Sequence, residues 1–290
     1  MPPTPERLPP DPATILERSR GVLFAQWQEL LRLRCTVLKT YDQDDIHDLR
    51  VATRRFRALL ELFDPIAPKS AKNELKKVIR KITQVLGGLR NIDEALLFFP
   101  PRIDAETAAG GRLFQALSRL RSGKLKRIEK ALIAFDQRTL DRMVREIVAA
   151  LNEGCLADRH GFSLPAYFSE TSIRQYLPIH RLLAVSMVPE QRESRHALRI
   201  AIKKWRYVLE IVSTVLDCDY SALLGLLKEY QSILGRMNDI AEFEILLKAL
   251  ELPRNERDQA EAILRHEDAL LLEMFSELIE RKPLVYTFLI

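Results

Sequence analysis

The chain predicts an all-α fold on three observations. Glycine is scarce, at 10 of 290 residues. Apolar side chains recur with a period near 3.6 over long stretches, and neither strict alternation nor clear hairpin signals occur.

The elements follow from periodicity and breakers. Residues 1–11 are Pro-rich and predicted disordered. A first helix is expected from Pro12 to Tyr41, and a second from about Asp44 to Phe63, capped by Asp44 or Asp45. Asp64-Pro65 and Pro68 break it. The next helix, Lys69 to Leu86, is expected to stop at Gly87-Gly88. A short helix from Asn91 to Phe99 ends at Pro100-Pro101. Helices over about 105–135 and 138–152 complete an N-terminal bundle (12–152). Residues 153–171, with Gly154, Gly161 and Pro165, read as a connector to a C-terminal bundle (172–282). There, helices are expected over Ser172–Val188, Gln191–Leu216, Tyr220–Leu234 ending near Gly235, Asp239–Leu252 and Glu256–Arg281. Residues 283–290 form an apolar tail.

Hydrophobic residues make up 47% of the chain, enough for a substantial core. The net charge is +5 and the pI about 9.1, a modest bias, so local segregation of charge matters more than bulk basicity. Cys35, Cys155 and Cys218 are scattered, which argues against a disulfide framework and a cysteine zinc site and favours a reduced, cytoplasmic setting. The N-terminus lacks the apolar run of a secretion signal, and no stretch of 18 apolar residues predicts a membrane span.

A seventeen-residue string occurs twice, 149 positions apart, once from His47 to Phe63 and again from His196 to Val212. Seven positions are identical and six conservative, so the chain is an internal duplication. On a helix, His47, Arg50, Arg54 and Arg57 fall within an arc of about 80°, as do His196, Arg199, Lys203 and Arg206. Phe56 and Trp205 lie opposite, with the aliphatic side chains. Each copy is an amphipathic helix whose polar face is almost purely cationic. Like charges at i,i+4 weaken a helix, and solvated faces usually mix signs, so a twice-repeated stripe points to an anion. The similar helix order of the halves suggests two bundles about a pseudo-two-fold axis, with the stripes facing across a groove or pore.

A second pair aligns at an offset of 148: Leu86-Gly87-Gly88-Leu89-Arg90-Asn91 with Leu234-Gly235-Arg236-Met237-Asn238-Asp239. The glycines are expected to end helices and Asn91, Asp93, Asn238 and Asp239 to cap the following ones. Arg80 and Lys228 each precede a glycine by seven residues and keep their charge while neighbours diverge.

The two strings resemble the signatures of the CHAD family, the conserved histidine α-helical domain: His-x-x-Arg-Val-x-x-Arg-Arg-x-Arg over His47–Arg57 and His-x-x-Arg-Ile-x-x-Lys-Lys-x-Arg-Tyr over His196–Tyr207. The two Leu-Gly strings are similar to its second signature, although Asn91 stands where the family often has Asp. The resemblance covers about residues 12–282. It implies two four-helix bundles related by a pseudo-two-fold axis around a central basic pore that binds inorganic polyphosphate.

That ligand suits the residues. Polyphosphate carries a charge on every phosphate and no base or sugar, so its binder needs dense cations in a confined track. Arginine supplies forked contacts and lysine point charges. The expected site residues are His47, Arg50, Arg54, Arg55, Arg57, Arg80, Arg90, His196, Arg199, Lys203, Lys204, Arg206 and Lys228. Lys77, Lys124 and Arg127, from basic runs at Lys76–Lys81 and Arg119–Lys130, are expected to extend the track. The histidines are expected to donate to phosphate and to strengthen binding at mildly acid pH. Glu61 and Glu210 read as anchors for the arginines four residues before them.

No catalytic residue, metal ligand or cofactor is expected: carboxylates to hold metal ions are missing from the stripes, as are a phosphate-binding glycine loop and a nucleophile–histidine set. Base-stacking aromatics are also missing beside the cations, apart from Tyr207, so specific nucleic-acid recognition is not expected. The reading is a polyphosphate-binding module in the cytoplasm, with polyphosphate granules as a candidate destination and no membrane partner. The alternatives are a metal-dependent phosphate hydrolase and a basic scaffold for nucleic acid or an acidic protein.

Overall fold

A computed structural model describes residues 10–65, 67–104, 106–152 and 163–285. The described residues form nine α-helices and no strand, as the periodicity predicts: α1 (Pro12–Thr40), α2 (Gln43–Leu62), α3 (Lys69–Phe98), α4 (Ala108–Ile133), α5 (Gln137–Asn152), α6 (Leu164–Ser186), α7 (Arg192–Leu216), α8 (Ser221–Ala249) and α9 (Arg254–Arg281). Residues 1–9 of the expected disordered segment, 153–162 of the connector and 286–290 of the tail lie outside the described residues.

The sequence repeat has a counterpart in the helix order. Shifting α1–α4 by the 149 residues that separate the two basic strings brings every helix end within five residues of the ends of α6–α9. α5 stands outside this correspondence.

Local chemistry explains several boundaries. Asp11 caps α1 by accepting from the Ala13 and Thr14 amides, with Pro12 in the first turn. α1 closes at Tyr41, in a left-handed conformation (φ 50°). The cap of α2 is Asp42, whose side chain accepts from Asp44 N at 2.8 Å. Asp44 and Asp45, expected as caps, sit inside the first turn, where their charges favour the helix dipole. α6 starts eight residues before the expected Ser172, because Ser163 caps it and Pro165 is tolerated in a first turn.

The expected stops at Gly87-Gly88 and Gly235 do not occur. α3 runs unbroken through Gly87 and Gly88, and α8 through Gly235. Asn91, Asp93, Asn238 and Asp239 are therefore mid-helix residues, not caps. A glycine costs only about 1 kcal/mol against alanine inside a helix, and here the apolar face continues across it: Leu86, Leu89 and Ile92 in α3, Leu234, Met237 and Ile240 in α8, all buried.

Two apolar cores result, and long helices pass from one to the other. The first gathers α1, α2, the first two-thirds of α3, the end of α4 and α5 around Trp27, Phe56 and Phe63. The second gathers α8, α9 and most of α6 and α7 around Trp205, Tyr230 and Phe275. α3 enters the second core through Ile92, Ala95 and Phe99, and α4 through Leu113 and Leu117. α7 enters the first through Val208, Ile211, Val212 and Val215. Phe56 and Trp205, assigned to the packed faces of the repeat, are both fully buried.

A methyl group added at Gly87 or Gly235 meets no atom within 4 Å. Replacing either by alanine should therefore stabilise the protein by about 1 kcal/mol, through propensity and unfolded-state entropy. Urea unfolding measures this; a loss of stability would mean that the glycines permit a close approach.

Candidate anion-binding site

α2 packs against α7 and α3 against α8, while α2 also lies along α3 and α7 along α8. The two basic stripes thereby meet. Arg50 and Arg54 of α2, Arg90 of α3, and Arg199 and Lys203 of α7 lie close enough to perturb one another's charge. Arg50 is only 7% exposed and Arg199 only 8%.

Burial is the first cost. It disfavours every charge, and the neighbouring cations add to it. Burial, then Arg199, Arg54, Arg50 and Arg90, push the Lys203 ammonium down to about 6. Burial, then Arg54 and Arg90, lower Arg50 to about 9. Burial lowers Arg199 to about 10, with Asp239 opposing and Arg90 and Arg54 contributing. Arg54 is lowered by burial too, although a hydrogen bond with Tyr207 resists the shift. For Arg90, burial is outweighed by a forked pair with Asp239 of α8, with Nη2 at 2.7 Å from Oδ2, and by Glu94, so its pKa is raised.

Only Arg90 of these five has its charge balanced directly. Among the described residues, no carboxylate forms an ion pair with Arg50, Arg54, Arg199 or Lys203. The Nε atoms of Arg50 and Arg199 are buried without a hydrogen-bond partner there. Buried donors and unpaired cations are costly, and an anion with several oxygens would satisfy both.

The carboxylates sit at the margins. Glu210 accepts from Arg206 at 2.6 Å and lies 3.5 Å from Arg55 across the helix pair. Glu61 pairs more loosely with Arg57, at 3.9 Å. Glu210 thus acts as the anchor expected of it, while Glu61 only approaches its arginine. Asn91 donates to Glu242 at 2.7 Å, tying α3 to α8 beside the Arg90–Asp239 pair.

A cavity of about 300 Å³ opens onto the cations, lined by Arg54, Arg57, Arg199, Lys203, Lys204 and Tyr207. Thr83 of α3 and Thr171 and Gln175 of α6 add neutral polar groups. His47 lines a neighbouring cavity with Arg50 and Arg90. Burial, then Arg50, lower the pKa of His47. His196 lies in a further cavity with Arg192 and Arg195, and its Nδ1 is 2.7 Å from Asn238 Oδ1. With the amide oxygen of Asn238 as acceptor, Nδ1 is the donor of that contact.

The expected site residues thus divide. Arg50, Arg54, Arg90, Arg199 and Lys203 form the centre, with Arg57 and Lys204 at its first cavity. Arg55 and Arg206 flank Glu210. Arg80, on the same helix face as Thr83 and Gly87, is exposed, as are Arg127 and Lys228. Lys77 pairs with Glu74 at 3.5 Å, and Lys124 lies against α3, with Nζ 3.4 Å from where Gly88 would carry a Cβ. Sequence reasoning missed the contribution of Tyr207 and the role of Asp239 as partner to Arg90. The second was visible only as a repeated polar pair after each glycine.

The model of the CHAD domain matches residues 21–248. The chain belongs to the CHAD family. The crystal structure of the CHAD domain from the plant Ricinus communis superposes with a TM-score of 0.67 at 23% identity, covering 94% of this chain and 92% of that one. PptA from Streptomyces chartreusis superposes with the same TM-score at 19% identity, covering 91% and 99%. At these identities the likeness shows a shared fold. No curated protein sequence matches the chain. In general, CHAD domains are linked to binding of polyphosphate or triphosphate. Among the described residues, no three or more His, Cys, Asp or Glu side chains are grouped to hold a metal ion, and no helix is long and apolar enough to cross a membrane.

Lys203 links this CHAD site to stability. Its folded pKa of about 6 lies below the ordinary 10.5, so the folded chain binds fewer protons than the unfolded one across that window, and stability rises with pH there. Lys203→Met should remove this cost. We expect the unliganded variant to melt roughly 2–4 °C above the wild type at pH 7, the shift for about 1 kcal/mol. The gap should narrow toward pH 10. A thermal melt series checks it; an equal or lower melting point at pH 7 would contradict the burial penalty.

Proposed function

We propose that this CHAD domain binds inorganic polyphosphate at the cations where α2, α3 and α7 meet, without turning it over. The observation that carries the reading is the set of four carboxylate-free cations, Arg50 and Arg199 buried and Arg54 and Lys203 half-buried, beside the cavity that Arg54, Arg199 and Lys203 line. Such a set costs the unliganded fold stability, and a linear polyanion offsets that cost by pairing with all four at once. In this reading the halves are related by a pseudo-two-fold axis, consistent with the contacts of α2 with α7 and of α3 with α8. Residues outside the cluster, such as Arg80, Lys124 and Arg127, provide long-range attraction. The cellular setting we propose is the cytoplasm, at polyphosphate granules.

The choice of polyphosphate over nucleic acid rests on where the aromatics lie. Phe56 and Trp205 are fully buried on the packed faces, and Tyr207 is 8% exposed and bonded to Arg54. None offers a free ring to a base.

The test is binding of long-chain polyphosphate across a salt series, beside the variant with Arg50, Arg54, Arg199 and Lys203 all changed to Ala. Affinity should fall with salt, and the plot of log affinity against log salt should be shallower by about 3 in the variant, as four phosphate contacts are lost. Single-stranded DNA of equal charge should compete poorly at about 0.15 M salt. Equal binding by both proteins, or equal competition by DNA, would move the scaffold reading to the front.

Binding should also take up protons. Phosphate favours the charged forms of Lys203 and His47, both lowered in the free protein, so affinity should strengthen as pH falls from 8 toward 6, by up to about tenfold per unit for each group that takes up a proton. Calorimetry in two buffers of different ionisation heat counts the protons; an affinity flat over this range would contradict the assignment of Lys203.

A further inference from the structure

Among the five central cations one is a lysine, Lys203, where the first copy of the repeat carries Arg54. The two side chains differ in chemistry as well as in shape. At neutral pH a guanidinium keeps its proton, whereas an amine that gives its proton up becomes a nucleophile. The surroundings of Lys203 favour that loss. The side chain is half-buried on α7, within the field of Arg50 and Arg54 of α2, Arg90 of α3 and Arg199 of its own helix. Among the described residues no carboxylate pairs with it. The cavity of about 300 Å³ that it lines also holds Arg57, Lys204, Tyr207 and one carboxylate, Glu61, which is 51% exposed and lies nearest Arg57. Burial and the four arginines bring the amine down to about 6, so most of it is neutral at about pH 7.

Two other lysines show what sets Lys203 apart. Lys72 is buried more deeply, but its Nζ lies 2.8 Å from the Asp64 carboxylate and donates to the Asp64 carbonyl at 3.3 Å. Lys204 lines the same cavity but is exposed. Lys203 alone of the three joins burial, surrounding cations and an open cavity. Its surroundings also lack an anion, since the Nε atoms of Arg50 and Arg199 are buried there without a hydrogen-bond partner. A carboxylate built onto the Lys203 amine would supply one.

We propose that Lys203 is a modification site for carbon dioxide: its Nζ takes up CO2 as a carbamate, and the modified and polyphosphate-bound forms exclude one another. In the step, the Nζ lone pair forms a bond to the carbon of CO2, one C=O electron pair moves onto oxygen, and one Nζ proton leaves through the cavity to solvent. Nothing is oxidised or reduced. CO2 is small and uncharged, so cations do not oppose its entry, while the product is an anion that guanidinium donors stabilise. A neutral amine thereby becomes a carboxylate amid Arg50, Arg54 and Arg199, and it removes a cation that phosphate would otherwise pair with. The exclusion rests on the polyphosphate reading above; formation of the carbamate does not.

The test looks for the carbamate in the unliganded wild type. In carbon-13-labelled bicarbonate at about pH 7, where ordinary exposed lysines are protonated, the protein should show a carbamate resonance. Trapping with an alkyl oxonium reagent and peptide mass spectrometry should place the added CO2 on Lys203, and the same map separates any carbamate on the terminal amine. Lys203→Arg, which copies Arg54, should lose the resonance, and Lys204→Arg should keep it. No trapped group on Lys203, or an undiminished resonance in a Lys203→Arg protein of wild-type circular dichroism, would overturn the proposal whether or not polyphosphate binds. Excess long-chain polyphosphate should then abolish the Lys203 carbamate. Replacing chloride by bicarbonate at equal ionic strength should weaken polyphosphate binding by the wild type several-fold and have no effect on Lys203→Arg. A carbamate that persists with polyphosphate bound would overturn the exclusion. Absence of polyphosphate binding, measured separately in chloride, would remove the functional reading and leave the carbamate standing.

Discussion

Four cations are withdrawn from water at the meeting of two helices and given no carboxylate in exchange. Arg50, Arg54, Arg199 and Lys203 lose hydration together and disfavour one another's charge, and both effects lower the pKa of Arg50 to about 9, of Arg199 to about 10 and of Lys203 to about 6. Left to themselves, α2 and α7 would turn these faces to solvent. They are prevented because the opposite faces carry Phe56, Leu59 and Leu60 on one helix and Trp205, Leu209 and Val212 on the other, all buried. Each such side chain contributes about 1.5–3 kcal/mol on burial, which outweighs the electrostatic penalty.

The way the cores are divided strengthens this clamp. Separate bundles could slide apart along the charged seam. Here α7 ends in the first core, and α3 and α4 reach into the second, so separating the stripes would strip apolar surface from both. The Arg90–Asp239 fork and the Asn91–Glu242 bond fix α3 to α8 at the same level. Charge repulsion at the seam is held by packing at a distance from it, which leaves the cations free to meet a ligand.

Much of this was legible in the chain. The stripes, the packed faces and the duplication all follow from helical period and a repeated string, and the helices match except at the glycines and at the start of α6, where Pro165 was read as part of a connector. Glycine was read as punctuation, yet Gly87, Gly88 and Gly235 lie inside α3 and α8, because a break costs more than the weak propensity of one or two glycines once Leu86–Ile92 and Leu234–Ile240 are buried. The site was legible only in part. A helical wheel gives the face of a residue but not the helix across from it, so Arg90 could be named while its partner Asp239, distant in sequence, could not. Nor does a wheel distinguish Arg57, which opens on the cationic cavity, from its repeat mate Arg206, which is spent on Glu210.

That last difference concerns what duplication leaves free to change. The positions that must stay cationic to face a shared ligand, Arg50 with Arg199 and Arg54 with Lys203, kept their charge in both copies. The positions lining the two cavities beside the helix pair did not: Ala58 is matched by Tyr207, and Thr171 by Val22, which lines a second cavity with Arg55 and Glu210. A centre lying between the halves is served by both copies at once, so neither can lose its cations without weakening the whole. The flanking cavities, by contrast, share only Tyr207, so most of the residues lining one can change without touching the other. A duplicated fold with a shared centre therefore preserves symmetry where charge is pooled and tolerates its loss in the cavities to either side.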